Sequence, residues 1–446
     1  MNDILLYTGL LILSLSILVF WHELGHYLPA KWFGMKVEKF YLFFDWPRKL
    51  FSKNVGETEY GVGLLPLGGY VKIAGMIDES LDKNQLAEPA QSWEFRSKPA
   101  WQRLIVMVGG VVMNIILGIF IFTVVKYTRG EERLPMSSLP AGIFVPDSSV
   151  SQELGFKTGD KIMSFSGQPI KYFEDIAHPG ILLNDSVWFE VDRQGTPIRI
   201  DIPGDLIDQF ANKGKAAGML FYPNAENWVV VDSTMPAAKA GVQNGDQVIE
   251  IEGKTINYFE ELRATIKNRT DDSIALVWLR NQDTMRATIV LGSEGLLGLA
   301  PEDRFKRDKI EYGFFAAFVP GTKAAFGVIF DTFKGFRKIF KGEVSASNSV
   351  AGPVRIAGMI GVNFQRDGWL GFWMLTGMLS MALAFMNILP IPALDGGHVV
   401  FLLIEMIIRR EPSLKVRMIA QQVGMVILLA LMAFVIFNDI IATVFK

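Results

Sequence analysis

The chain has no cysteine. Disulfides and thiolate metal ligands are therefore excluded, and any metal must be held by His, Asp or Glu. Histidine is scarce too: His22, His26, His178 and His398 are the whole supply among 446 residues. Charge is nearly balanced, with a formal net charge of −2, so the chain offers no basic field for nucleic acid. Charged residues make up only 20% of the chain and hydrophobic ones 50%, with a mean hydropathy of +0.27. That balance favours a membrane protein over a soluble globular one. The first apolar run has no basic segment before it and no small-residue cleavage site after it, so it reads as a span and not as a secretory signal.

Four apolar runs stand out: Ile4–Phe20, Leu104–Val125, Leu370–Leu389 and Val423–Val444. Each is about 20 residues, enough to cross roughly 30 Å of hydrocarbon. Lys31, Lys36, Lys39, Arg48, Lys49 and Lys53 follow the first run; Arg409, Arg410, Lys415 and Arg417 lie between the third and fourth. The positive-inside rule puts those two loops in the cytoplasm and both termini outside, with the long stretch 129–368 outside as well. Within it, Tyr312–Phe340 is rich in Phe but broken by Lys323, Asp331 and Lys334. It is expected to form amphipathic helices on the outer membrane surface, in a region spanning 306–368. A fifth span is the alternative, and it would reverse the last two runs.

The external stretch contains a repeat. Gly155-Phe-Lys-Thr-Gly-Asp-Lys-Ile-Met-Ser-Phe-Ser-Gly167 aligns with Gly241-Val-Gln-Asn-Gly-Asp-Gln-Val-Ile-Glu-Ile-Glu-Gly253, and Tyr172-Phe173-Glu174 with Tyr258-Phe259-Glu260. A spacing of 86 residues (241 minus 155) makes each copy a domain and not a solenoid unit. Alternating apolar residues, a Gly turn and then a helical stretch read as α+β. With Ser233-Thr-Met-Pro-Ala-Ala-Lys-Ala-Gly241 before the second copy, the pair resembles tandem PDZ domains, at 129–220 and 221–305. His178 sits beside Pro179 in the first copy and reads as an exposed loop histidine.

The chemistry is concentrated in His22-Glu23-Leu24-Gly25-His26. Histidines at i and i+4 share one helical face and both reach one tetrahedral zinc. Glu23 stands next to the first of them, where a carboxylate can take a proton from a metal-activated water. From Ile4 to His22 is eighteen steps, about 27 Å of helix, which puts the site in the inner half of the bilayer. Ionisable groups at that depth are costly and point to function. The plain alternative is an interfacial belt of Trp21, His22, Glu23 and His26.

Two imidazoles leave zinc short of a protein ligand. The third run ends in Asn387-Ile-Leu-Pro390-Ile-Pro392-Ala-Leu394-Asp395-Gly396-Gly397-His398. Its prolines break a helix, and its paired glycines allow a tight turn. Such backbone is tolerated at membrane depth where it lines a cavity or packs in protein. Asp395 offers an oxygen and His398 a nitrogen, and spacing alone does not choose between them.

These segments together resemble the site-2 protease family of intramembrane zinc metalloproteases. The resemblance covers nearly the whole chain. It implies a multi-pass α-helical membrane protein with four transmembrane helices, a membrane re-entrant β-hairpin and two inserted α+β PDZ domains. The membrane domain is then 1–128 and 369–446. The resemblance further implies one Zn2+ per chain on His22, His26 and Asp395, with Glu23 as the catalytic acid/base and His398 a neighbour. Tyr60-Gly-Val-Gly-Leu-Leu-Pro-Leu-Gly69-Tyr-Val-Lys72 resembles the family's re-entrant β-loop. Gly61, Gly63, Gly69 and Tyr70 then contact substrate, by strand addition; a hairpin that only plugs the core is the alternative. Gly109-Gly110-Val-Val-Met-Asn114 resembles its glycine-plus-Asn motif, with Asn114 near substrate, unless the segment is simply a small-residue packing face. Asn387 is expected to hold a substrate carbonyl or oxyanion, or else to cap the broken helix.

The implied activity is zinc-assisted hydrolysis within single-span membrane proteins, such as a pre-cleaved anti-sigma factor or signal-peptide remnants. The implied setting is a bacterial inner membrane, with periplasmic PDZ domains acting as a substrate size filter and a monomeric enzyme. A non-catalytic scaffold would not need Glu23. A transporter would be expected to show inverted repeats, which the spans do not.

Overall fold

A computed structural model describes residues 2–66, 68–76, 89–177, 183, 187–206, 222–223, 226–267, 269–270, 272–291 and 295–444. His178 and Leu67 fall outside these residues. The chain divides into two compact units, Met1–Gly130 with Glu311–Lys446, and Glu131–Ile310.

The first unit is helical with one sheet. Its longer helices are α1 (Asn2–Trp32), α2 (Ala100–Arg129), α3 (Phe318–Phe340), α4 (Pro353–Asp367), α5 (Trp369–Ile388), α6 (Asp395–Ile408) and α7 (Leu414–Val444). Among the described residues, α1, α2, α5 and α7 are long and apolar enough to cross a membrane. These are the four runs read from the sequence, and the protein is a multi-pass membrane protein carrying an additional mixed unit. α7 begins nine residues before the expected run, at Leu414 and not Val423. Lys415, Arg417, Gln421 and Gln422 are polar but good helix formers, so hydropathy hid the first turns.

Small residues set the helix spacing, as lipid-immersed packing demands. A Cβ on Gly118 would lie 2.3 Å from Met381 Sδ, and one on Gly321 2.6 Å from Thr123 Oγ1. α2 is thereby the hub against which α1, α3 and α5 pack. α3 lies lengthwise along α2 and α5, from Gly321 at Thr123 to Phe336, whose ring is 5.7 Å from that of Phe385. The expectation of surface-lying helices did not anticipate this side-by-side packing. Gly321, Ala324, Ala325 and Val328 make the stripe that allows it. α4 folds back on α5 across Gly368, and Asp439 of α7 caps it, accepting from Val354 N at 2.7 Å, Arg355 N at 3.1 Å and Arg355 Nε at 2.7 Å.

Between α1 and α2 lie β1 (Val37–Leu42), β2 (Phe44–Val55), β3 (Thr58–Leu65) and β4 (Tyr70–Ile73), in the order β2-β3-β1-β4. β4 runs antiparallel to β1, with Tyr41 opposite Tyr70. Its other edge has no partner strand among the described residues.

The second unit carries the repeat. In the first copy β5 (Lys161–Phe165), β6 (Gln168–Pro169), β7 (Val187–Arg193) and β8 (Thr196–Ile202) form a sheet in the order β8-β7-β5-β6. In the second, β9 (Trp228–Val231), β10 (Asp246–Ile251), β12 (Ser273–Arg280), β13 (Asp283–Val290) and β14 (Leu299–Pro301) follow the order β13-β12-β10-β9-β14, with β11 (Lys254–Thr255) on β10. The register slips at Ile162/Ser164 in one copy and at Val248/Glu250 in the other, again 86 residues apart (248 minus 162). A bulge kept at the same offset is a built feature of the strand. Ser166-Gly167 and Glu252-Gly253 both have positive φ, as two-residue hairpin turns require. Each copy has its own apolar core, one around Phe156, Phe189 and Ile200, the other around Val248, Leu276 and Trp278. Glu131–Arg133 pairs with Asp308–Ile310, so the chain enters and leaves the unit side by side.

Candidate metal centre

His22, Glu23 and His26 lie on α1, with five residues of that helix still to follow before it ends in Trp32 beyond Pro29. Pro29 has no N–H to give to the carbonyl of Gly25. That carbonyl instead faces α2, where a Cβ on Gly109 would be only 2.0 Å from it. The two backbones are therefore nearly in contact at the level of the histidines. Gly110 makes the room for them: a Cβ there would lie 2.4 Å from His26 Nε2 and 2.7 Å from His22 Cε1.

The third group arrives from the break between α5 and α6. Ala393 takes a positive φ of 80°, an uncommon conformation for a non-glycine residue, and Asp395 opens α6. A carboxylate in the first turn is favoured by the helix dipole. Gly396 and Gly397 let α6 pack on the preceding turn, since Cβ atoms there would meet the carbonyls of Leu389 at 2.1 Å and Ile391 at 2.6 Å.

The result is a near-equilateral triangle. His22 Nε2 and His26 Nε2 are 3.3 Å apart, and Asp395 Oδ2 is 3.3 Å from the first and 3.4 Å from the second. Among the described residues this trio is the one group of His and carboxylate side chains close enough to hold a metal. His398, which spacing left open as the oxygen's rival, instead lines a cavity of about 260 Å³ with Arg103, Glu405, Glu411 and Arg417. Glu23 is buried beside the trio's helix face, at 8% exposure.

A match to the model of peptidase family M50 covers residues 10–431. The chain belongs to peptidase family M50. This is the site-2 protease family that the two motifs resemble. The chain is 30% identical to a Vibrio cholerae protein that carries the provisional name of zinc metalloprotease, over 98% of this chain and 99% of that one. It is 28% identical to the regulator of sigma-E protease RseP of Escherichia coli, over 96% and 97% of the two chains. The regulator of sigma E protease of Haemophilus influenzae is also 28% identical, over 97% and 98%. This M50 chain is a metalloendopeptidase, and its cofactor is zinc.

The donor set suits that ion. Ligands about 2.1 Å from a tetrahedral zinc stand about 3.4 Å apart, the spacing the three atoms already have. Asp395 Oδ2 is buried with no hydrogen-bond partner, which is costly unless a cation completes it. His26 Nδ1 donates to the carbonyl of Val106 at 2.8 Å, so its Nε2 keeps a lone pair facing the trio. Sequence reading missed Val106, because a backbone carbonyl has no residue signature.

The remaining candidates separate. Asn387 Nδ2 lies 3.3 Å from His22 Nε2, and Asn114 Nδ2 3.1 Å from His22 Nδ1, so both reach the metal centre. Gly69 lies against α1: a Cβ there would be 2.5 Å from Val19 Cγ1 and 3.4 Å from Glu23 Cγ. Tyr70 opens the edge strand and stacks on Tyr41 at 5.4 Å. Gly61 and Gly63 serve the sheet itself, since Cβ atoms there would strike the Tyr41 ring at 2.4 Å and Phe44 O at 2.0 Å.

Proposed function

We propose that this metalloendopeptidase cuts single-span membrane proteins at bilayer depth, with His22, His26 and Asp395 holding zinc and Glu23 as acid and base. The reading rests on one observation above all: three donor atoms within 3.4 Å of one another beside a buried glutamate, two of them on a helix apolar enough to span and the third just past the end of another. Zinc, when bound, supplies a Lewis acid for the scissile carbonyl and lowers the pKa of its water. Glu23 takes the water's proton and returns it to the leaving amine. Asn387 donates from its amide to the carbonyl oxygen where charge develops. The edge of β4 that has no partner strand among the described residues begins at Tyr70, next to the Gly69 contact with Glu23, and it offers backbone groups to an unwound substrate strand. A transmembrane helix hides its peptide bonds, so that pairing holds the substrate extended for attack.

Substrates of this reading are already shortened outside the membrane, as in anti-sigma factors after a first cut or signal-peptide remnants. The setting is the bacterial inner membrane, with the two repeat domains periplasmic and PDZ-like. Their role is a size filter, with capture of a C-terminal carboxylate as the rival. A series of substrates with graded external domains decides between them: uniform cleavage across the series removes the filter. For the chemistry, Glu23→Gln is expected to retain zinc and lose cleavage of a membrane-anchored substrate. Undiminished cleavage would remove Glu23 from its role.

A further inference from the structure

His22 is flanked by two amides, and they cannot both be donors. Asn387 Nδ2 lies 3.3 Å from His22 Nε2, while Asn114 Nδ2 lies 3.1 Å from His22 Nδ1. A neutral imidazole has one lone pair and one N–H, so it accepts from one amide only. The other must offer its oxygen. Asn114 is fully buried and its Oδ1 has no hydrogen-bond partner. A half-turn of that carboxamide exchanges its two ends at almost no change in shape. It would put Oδ1 on the His22 Nδ1–H and leave the Nε2 lone pair free for the donor cluster. Turning Asn387 instead would aim its oxygen into the donor cluster, beside the Asp395 carboxylate, and would place the imidazole N–H on Nε2, where it could not serve a metal.

We infer that Asn114 is a positioning residue, whose side-chain oxygen accepts the Nδ1–H of His22 and thereby fixes the Nε2 lone pair toward Asp395. The inference rests on the reading of His22 as a ligand and gives Asn114 a task other than substrate contact. Val106 does the same for His26 with its carbonyl, at 2.8 Å. Both supports come from α2, eight residues apart, with Gly109 and Gly110 between them to let the imidazoles in. α2 is therefore the outer shell of the metal centre, orienting both rings from one helix face. Asn114 is in turn anchored: its backbone carbonyl accepts from Ser380 Oγ at 2.7 Å, which ties α2 to α5. That anchor uses main chain, so it survives replacement of the side chain.

The test is zinc affinity of the full chain in detergent, by competition with a chromophoric chelator. Asn114→Asp keeps an acceptor and is expected to hold zinc within a few-fold of the parent. Asn114→Leu keeps the shape, loses the acceptor and is expected to weaken zinc about 10- to 100-fold. Parental affinity in the Leu variant overturns the inference, as does equal loss in both variants. His22→Phe separates this inference from the ligand reading: zinc retained there sinks the ligand reading itself, whereas zinc lost there but kept in Asn114→Leu sinks only the role of Asn114. Nitrogen-15 shifts of labelled histidine give a readout independent of affinity. The zinc-loaded parent and Asn114→Asp are expected to show His22 protonated at Nδ1, and protonation at Nε2 overturns the assignment.

Discussion

Gly25 and Gly109 meet backbone to backbone: a side-chain carbon on either would lie within 2.2 Å of the other's carbonyl oxygen. This contact holds α1 and α2 close enough for Val106 and Asn114 to reach the two histidine rings. Gly109→Ala must push the helices apart. Overpacking of this kind costs about 1–3 kcal/mol. The variant is expected to unfold at a lower temperature than the parent in detergent and to bind zinc more weakly. An unchanged melting curve would show that the two helices separate without penalty.

Gly110 makes a different demand. A Cβ there would lie 2.4 Å from His26 Nε2, among the ligand atoms and not between backbones. Gly110→Ala is expected to displace the imidazoles, with zinc affinity falling at least tenfold by the loss of ligand geometry. Thermal stability of the metal-free protein should fall less than in Gly109→Ala. Equal loss of stability in both variants would mean that Gly110 serves packing alone.

How much of this was legible follows from what each residue needs. His22 and His26 are readable because helical periodicity alone puts i and i+4 on one face. The four spans are readable because hydrocarbon thickness fixes their length. Asp395 was readable only as one of two candidates, because the turn at Ala393 and not the spacing decides which side chain points to the histidines. Val106 acts through its main chain and leaves no trace. Gly61 and Gly63 make room for Tyr41 and Phe44, and that needs a sheet register no local pattern supplies. The repeat was found from its Gly-Asp turns, yet the partner of each Asp was not. Arg193 and Arg280 lie 33 and 34 residues further on, and strand pairing alone brings them back.

Those pairs carry a prediction. Asp160 binds Arg193 through both oxygens at 2.7 Å, and Arg193 also reaches the carbonyl of Gly155. Asp246 binds Arg280 at 2.9 and 2.7 Å, and Arg280 reaches Gly241. Each aspartate holds its guanidinium's pKa above the usual arginine value. Each also caps a turn, accepting from Lys157 N or Gln243 N at 2.8 Å. Asp246 is 3% exposed, so Arg280→Leu leaves a buried carboxylate short of donors. That costs about 1–3 kcal/mol. Limited proteolysis is expected to cut faster within 226–301 while zinc binding stays at the parental level. Cleavage at the parental rate would mean that the turn holds without its arginine.

The last prediction concerns what steadies the helix that carries Asp395. Arg103 of α2 is nearly buried, and its guanidinium pairs with Glu405 of α6 and, at 2.9 Å, with Glu411. Arg417 of α7 joins the same Glu411 at 3.2 Å. Ten residues of α6 separate Glu405 from Asp395, so the pair is a second attachment of that helix, about 15 Å from the first along its axis. Arg103→Met leaves Glu405 with its charge in a site that is 86% covered, because its side chain is 14% exposed. Removing one partner of a buried pair costs about 3–5 kcal/mol, and Glu411, more exposed, adds little. The variant is expected to melt well below the parent and to release zinc faster to a chelator. Adding Glu405→Gln removes the stranded charge and should restore most of the stability. If the double variant melts no higher than Arg103→Met, the loss comes from packing of the arginine stem and not from its charge.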